Sequence, residues 1–251
     1  MTTAAIRVGT SGWHYPHWRG PFYPRDLPPE RWLAWYAERF PAVEINNSFY
    51  RTPDTATCAA WAAAVPRGFR FAVKANRVIT HRKKLKDAGP IVAGFLERIA
   101  PLGRRLGPIL FQLPPRWRCN LDRLAGFLEV LPPGLPCAFE FRDPDWHRDA
   151  VYRLLERHGA GFCIFDLAGL RAPLAVTSPL VYLRLHGPDG PYAGSYAVTT
   201  LRAWARRASA WAREGHEVWI FFDNDERGHA PRNAATLKRL LADGPGRRAA
   251  G

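Results

Sequence analysis

Glu140 and Arg142 stand two residues apart in AFEFRDPDW (138–146), with Phe139 and Phe141 at the alternate positions. On an extended strand successive side chains point to opposite faces, so the acid and the base share one face and the phenylalanines the other. The pattern recurs in VYLRLHG (181–187), where Tyr182, Arg184 and His186 oppose Val181, Leu183 and Leu185. In VEINNSFY (43–50) Glu44 and Asn46 share a face, and Lys74, Gln112, Asp166, Asp223 and Asn224 close further apolar runs. Glu44, Glu140, Asp166 and Asp223 thus come from four different segments. Two of them across a cleft would serve as acid and base on a sugar or phosphosugar. A carboxylate beside an arginine or lysine stays ionised, which suits a base better than an acid. Glu140 is the leading candidate base, with Lys74 or His186 as proton donor, and Glu140→Gln is expected to end turnover while leaving the fold largely intact. Lys74, Arg142, Arg184 and His186 form a cationic set suited to phosphate or carboxylate. Asn46, Gln112, Asp223, Asn224, Trp13 and Tyr50 complete the candidate substrate-binding residues. Any one of these charges also fits a purely structural ion pair. Glu140, Asp166, His186 and Asp223 are ligand types of divalent-metal sites. No HxH or HExxH spacing occurs, and the neighbouring lysine and arginines would repel a cation. No metal ligand and no cofactor is assigned, and a divalent metal is the minority alternative.

Eight apolar runs of β type must position these groups. They begin at Ile6, Ala42, Phe69, Pro108, Cys137, Gly161, Leu180 and Val218, and each closes in polar residues. Segments with helical spacing lie between most of them, such as PERWLAWYAERF (29–40) and DTATCAAWAAAV (54–65), the latter opening on Asp54 as a helix cap. Strands alternating with helices imply a parallel sheet with crossover helices. Eight such units in 251 residues predict a single (β/α)8 TIM-type barrel over 1–242 with a flexible tail at 243–251. The joint between strands six and seven is weak. LAGLRAPLAVTSP (167–179) holds two prolines and a glycine, so an irregular crossover is expected there, and an open doubly wound sheet is the alternative. In such barrels the active site lies at the strand C-termini, where the polar residues gather, whereas no polar cluster marks the strand starts. GTSG (9–12) offers a nest of amides. The loops HGPDGPYAG (186–194) and NDERGHAPRNAA (224–235) occupy the places of phosphate sites in these barrels, although turn formation alone also explains their glycines.

The formal charge is +14, carried mostly by arginine. Such a field attracts anions and nucleic acid without identifying either. A nucleic-acid partner is therefore the alternative to an anionic small molecule. The aromatic and arginine-bearing loop GWHYPHWRGPFYP (12–24) would stack bases in that case, or otherwise fold over the barrel as a lid. THRKKLKD (80–87) is a basic segment on the same side. No apolar run is long enough to span a membrane, and the N-terminus lacks the features of a secretory signal. The four cysteines, Cys58, Cys119, Cys137 and Cys163, form no CxxC pair and read as reduced core residues, consistent with a cytoplasmic protein. Oligomeric state is not encoded legibly.

GTSGW, VEINNSFY, FAVKANRVITH, FQLPP, FEFRDPDW and YLRLHG, in this order, resemble the YecE-like family, a bacterial and archaeal domain of unknown function. The resemblance runs from Ile6 to about Leu241. It implies a TIM-type barrel and implies no reaction.

Overall fold

The computed structural model describes residues 4–244. Eight parallel strands form the barrel: β1 (Ile6–Thr10), β2 (Ala42–Ile45), β3 (Arg70–Lys74), β4 (Leu106–Leu113), β5 (Cys137–Phe141), β6 (Gly161–Leu167), β8 (Leu180–Leu185) and β9 (Glu217–Phe222). The two-residue β7 (Leu170–Arg171) folds back antiparallel on the end of β6. Among the described residues seven α-helices cover the barrel: α1 (Trp32–Ala37), α2 (Thr55–Ala63), α3 (Gly89–Ile99), α4 (Leu121–Glu129), α5 (Asp149–Arg157), α6 (Val198–Arg213) and α7 (His229–Ala242). The missing helix belongs to the expected weak joint. After β7 the chain runs irregularly to Leu180, because the prolines at 173 and 179 withhold backbone donors that a helix there would need. The strands run in chain order around a nearly closed barrel, its ends β1 and β2 meeting at the Ser11–Glu44 bridge, which excludes an open doubly wound sheet. Of the expected tail, residues 245–251 lie outside the described residues.

Local signals explain most of the element ends. The Asp54 carboxylate accepts from Thr57 N at 2.7 Å, and Asn120 does the same for Arg123 N at 2.8 Å at the start of α4, each satisfying an orphan donor of the first turn. Alternation then sorts the strand side chains. Val181, Leu183 and Leu185 pack outward with the helices. Ala42, Ala72, Leu110, Ala138, Cys163, Tyr182, Trp219 and Phe221 form a separate buried cluster inside the barrel. Its alanines and cysteine lie on β2, β3, β5 and β6, and its large aromatics on β8 and β9, so small residues make the space the rings fill. Gly107 is required below them, because a Cβ there would come within 2.5 Å of the Trp219 ring.

The barrel closes between β1 and β2 by an unusual device. Gly9 brings its backbone so near β2 that an added Cβ would sit 2.0 Å from Ala42 O. The Tyr36 hydroxyl, from α1, enters the seam: it accepts from Thr10 N at 2.8 Å and donates to Ala42 O at 3.2 Å. Beyond it Gly12 N donates to Glu44 O at 2.8 Å. The strand starts are not free of charge either. Arg7 pairs with Glu217 at the base of the barrel and lies 4.9 Å from the Trp219 ring centre.

Candidate active site

Two residues further along the strands from the apolar layer, the interior becomes ionic. Arg184, on β8, is fully buried. One guanidinium nitrogen donates to Glu140 Oε2 at 2.9 Å, and the other to Glu44 Oε1 at 2.7 Å and Asp223 Oδ2 at 3.0 Å. The same nitrogen reaches Ser11 Oγ at 3.3 Å, and Tyr182 donates to Glu44 Oε2 at 2.7 Å. Arg142 pairs with Glu140 Oε1 from the mouth side. His186 bridges the two halves, with Nδ1 at 3.0 Å from Asp223 Oδ2 and Nε2 at 3.0 Å from a nitrogen of Arg142. Guanidinium groups only donate, so Nε2 accepts and Nδ1–H donates to Asp223. The sequence-predicted Glu44, Glu140, Arg142, Arg184, His186 and Asp223 therefore meet in one network.

The charges hold one another ionised. Burial pushes the Glu140 carboxyl up, but the Arg142 and Arg184 guanidiniums hold it well below the usual carboxylate range. Asp223 is likewise lowered against its burial, chiefly by Arg184. Burial works against the Arg184 charge too, and Glu44, Glu140 and Asp223 more than reverse it. A carboxylate wholly buried between two guanidiniums is a poor proton acceptor, so Glu140 suits a positioning place better than the base expected from its sequence.

Lys74 differs from its neighbours. It ends β3 facing inward, 7% exposed, and among the described residues no carboxylate lies within 4.0 Å of its amine. The amine sits 4.4 Å from the ring centre of Phe49. Burial, and then the Arg184 charge, lower its pKa from 10.5 to about 8. Three carboxylates face two guanidiniums in the network, and Lys74 supplies the third positive charge. Gln112, also inward and buried, pairs in register with Glu140 across β4 and β5.

Other predicted residues fall elsewhere. Asp166 follows the inward Cys163 and Phe165 by odd parity, so it leaves the interior and pairs with Arg171 at 3.1 Å. Asn224 turns away behind Asp223, and its amide donates to Gly194 O at 2.8 Å and Asn233 Oδ1 at 2.9 Å, tying the last two loops together. Trp13, Asn46 and Tyr50 line a cavity of about 720 Å³ beside the mouth. The GTSG amides form no nest: Thr10 N, Ser11 N and Gly12 N donate to Tyr36, Phe222 O and Glu44 O in closing the barrel. In the loop after β9, Gly228 N and Ala230 N are engaged by Asp225 O and Asn224 O. The aromatic loop after β1 folds as a cover. Trp18 and Tyr23 are fully buried, and Tyr23 stacks on Trp32 at 4.7 Å. Arg184 occupies the point where Glu44, Glu140 and Asp223 converge, and among the described residues no group of three or more His, Cys, Asp or Glu side chains is placed to hold a metal ion.

Sequence reasoning missed Ser11, Phe49 and Trp61, and set Tyr15 only among the aromatics of the loop after β1. Strand parity from Gly9 pointed to Ser11, whereas only tertiary packing identifies the others. All four cysteines are free thiols, with Cys58, Cys137 and Cys163 buried and Cys119 half-buried. No described helix is long and apolar enough to cross a membrane.

Residues 7–250 match the family described as "Protein of unknown function DUF72". The chain is 23% identical over 269 residues to UPF0759 protein YunF of Bacillus subtilis, covering 94% of each. It is 29% identical over 170 residues to UPF0759 protein YecE of Escherichia coli, covering 64% of this chain and 59% of that one. A crystal structure of a DUF72 family protein from Thermotoga maritima superposes with a TM-score of 0.86 at 28% identity, covering 94% of this chain and 99% of that chain.

Proposed function

The chain belongs to the DUF72 family of proteins of unknown function, and on that premise we propose that it is an enzyme moving a proton on a small anionic substrate at the C-terminal mouth of its barrel. Lys74 carries the proposal. It is the one interior cation without a carboxylate in contact among the described residues, and its pKa of about 8 lets it both hold and release a proton near neutrality. In this reading Lys74 meets the anionic group of the substrate and exchanges the proton. Arg142 and His186 form the polar floor, and Glu44, Glu140 and Asp223 keep that floor fixed and ionised. Preorganised charge of this kind needs no rearrangement when charge develops on a substrate. The basic rim supplied by Arg77, Arg82 and Lys83 draws anions toward the mouth.

The chain has only five lysines, which makes a direct test practical. In the lysine-labelled protein one side-chain resonance should titrate near pH 8, move upward on adding inorganic phosphate, and disappear in Lys74→Met. That variant should also lose phosphate binding by calorimetry. A Lys74 resonance at the ordinary lysine value, with phosphate affinity indifferent to the substitution, would overturn the proposal.

A further inference from the structure

The mouth does not end at Lys74. The turn 46–50 after β2 is pinned to β3, because Ser48 Oγ donates to Lys74 O at 2.6 Å and Asn76 donates to Ser48 O at 3.1 Å. This turn is a partition. On one side Phe49 lies under the Lys74 amine; on the other Asn46, Asn47 and Tyr50 line the 720 Å³ cavity. Tyr15 closes the opposite wall, and its hydroxyl donates at 2.7 Å to the backbone O of Ser11, the serine whose hydroxyl touches Arg184. The cavity thus lies next to the ionic mouth, across the 46–50 turn, and has the volume of a small-molecule site, about 300–1,000 Å³.

Its chemistry contrasts with the mouth. Among the described residues the lining carries no lysine or arginine, and its one carboxylate is the exposed Glu30. Its one imidazole is the exposed His14, so an anion finds no lysine or arginine there, and the occupant is the uncharged part of a molecule. The side-chain amides of Asn46 and Asn47 make no hydrogen bond with the described residues, and Asn46 is half-buried. Each offers both donor and acceptor, the match for adjacent hydroxyl groups. Trp13 and Trp61 meet at 87° with ring centres 5.1 Å apart. A flat base sandwiched between rings needs two parallel faces, which this corner does not provide. A puckered ring fits it, because its C–H bonds lie against an aromatic face and its hydroxyls project from the edge. We infer that this cavity is the subsite for the neutral sugar ring of a substrate whose anionic group lies at Lys74. The inference rests on the proposed function and narrows its substrate to a sugar phosphate or sugar acid.

Calorimetric titration of the purified chain decides the matter, with glucose 6-phosphate, ribose 5-phosphate, the two unphosphorylated sugars, inorganic phosphate and adenosine monophosphate as probes. A sugar phosphate should bind more tightly than its parts. Trp61→Ala and Asn46→Ala should each weaken it about tenfold or more, while changing inorganic phosphate affinity by less than about twofold. Lys74→Met should remove phosphate binding and spare the weak binding of the neutral sugar. Asn46→Ala keeps the test readable should Trp61→Ala loosen α2, since the Asn46 amide supports no other group. Sugar phosphate affinity unmoved by both cavity variants overturns the inference, as does tighter binding of adenosine monophosphate or no sugar binding. Neutral sugar binding that falls in Trp61→Ala, with no phosphate binding at Lys74, supports the subsite and overturns the proposed function instead.

Discussion

Arg184 donates to three carboxylates from the centre of the barrel, and this arrangement decides how substitutions at the site behave. Removing one partner of a buried ion pair leaves the other charge uncompensated, which costs about 3–5 kcal/mol. Arg184→Met should lower unfolding stability by about that amount in denaturant titrations, because Glu44, Glu140 and Asp223 all lose their common partner. Glu140→Gln is also destabilising on this geometry, by about 3 kcal/mol, against the expectation from sequence that it would leave the fold largely intact. An unchanged unfolding midpoint in both variants would mean that the network contributes little. Lys74 behaves in the opposite sense. Its folded pKa of about 8 lies below the ordinary 10.5, so between those values the unfolded chain binds more protons than the folded one. Stability from this group therefore rises with pH across the window, by up to about 3 kcal/mol. The stability of the wild type minus that of Lys74→Met, followed from pH 8 to 10.5, should climb accordingly. A flat or falling difference would show that the amine is not desolvated.

The β1–β2 seam is the element on which the site depends, since Ser11 and Glu44 flank it. Tyr36→Phe removes the hydroxyl that serves Thr10 N and Ala42 O, and an unmet buried donor costs about 1–3 kcal/mol. The Thr10 amide should then exchange with solvent markedly faster than other β1 amides. Equal protection in the variant would argue that the strands pair without help. Nothing in the sequence announces this seam. Tyr36 reads as one more apolar residue of a short helix, and its partners lie 26 positions upstream and 6 downstream. What was legible was local: the Glu140–Arg142 and Arg184–His186 alternations, the Asp54 cap, and the proline-bearing gap before Leu180. Asp166 and Asn224 were misplaced for a physical reason. Parallel strands are buried on both faces, so in GFCIFD neither face is polar enough to mark the interior, and of the adjacent Asp223 and Asn224 only one can point inward. Trp61 was hidden in an alanine-rich helix whose functional value depends on what packs across from it.

Across the molecule the charges separate by depth. The interior ring is balanced, three carboxylates against two guanidiniums and Lys74, so the excess of +14 is carried by residues outside that ring. Arg202, Arg206, Arg207 and Arg213 are all exposed on α6, on the outside of the barrel wall. A field of this kind attracts polyanions through counterion release, without sequence or shape selection. Polyanion attraction and phosphate binding in the mouth should therefore be independent properties. Replacing the four α6 arginines with glutamine should lower the salt concentration at which the protein leaves immobilised heparin. It should leave inorganic phosphate affinity within about twofold of wild type, the additivity expected of distant sites. Lys74→Met should elute from heparin with the wild type while losing phosphate. If Lys74→Met instead shifted heparin elution as far as the fourfold variant, the mouth itself would be the polyanion site. A nucleic-acid strand would then be a better occupant for it than a small molecule.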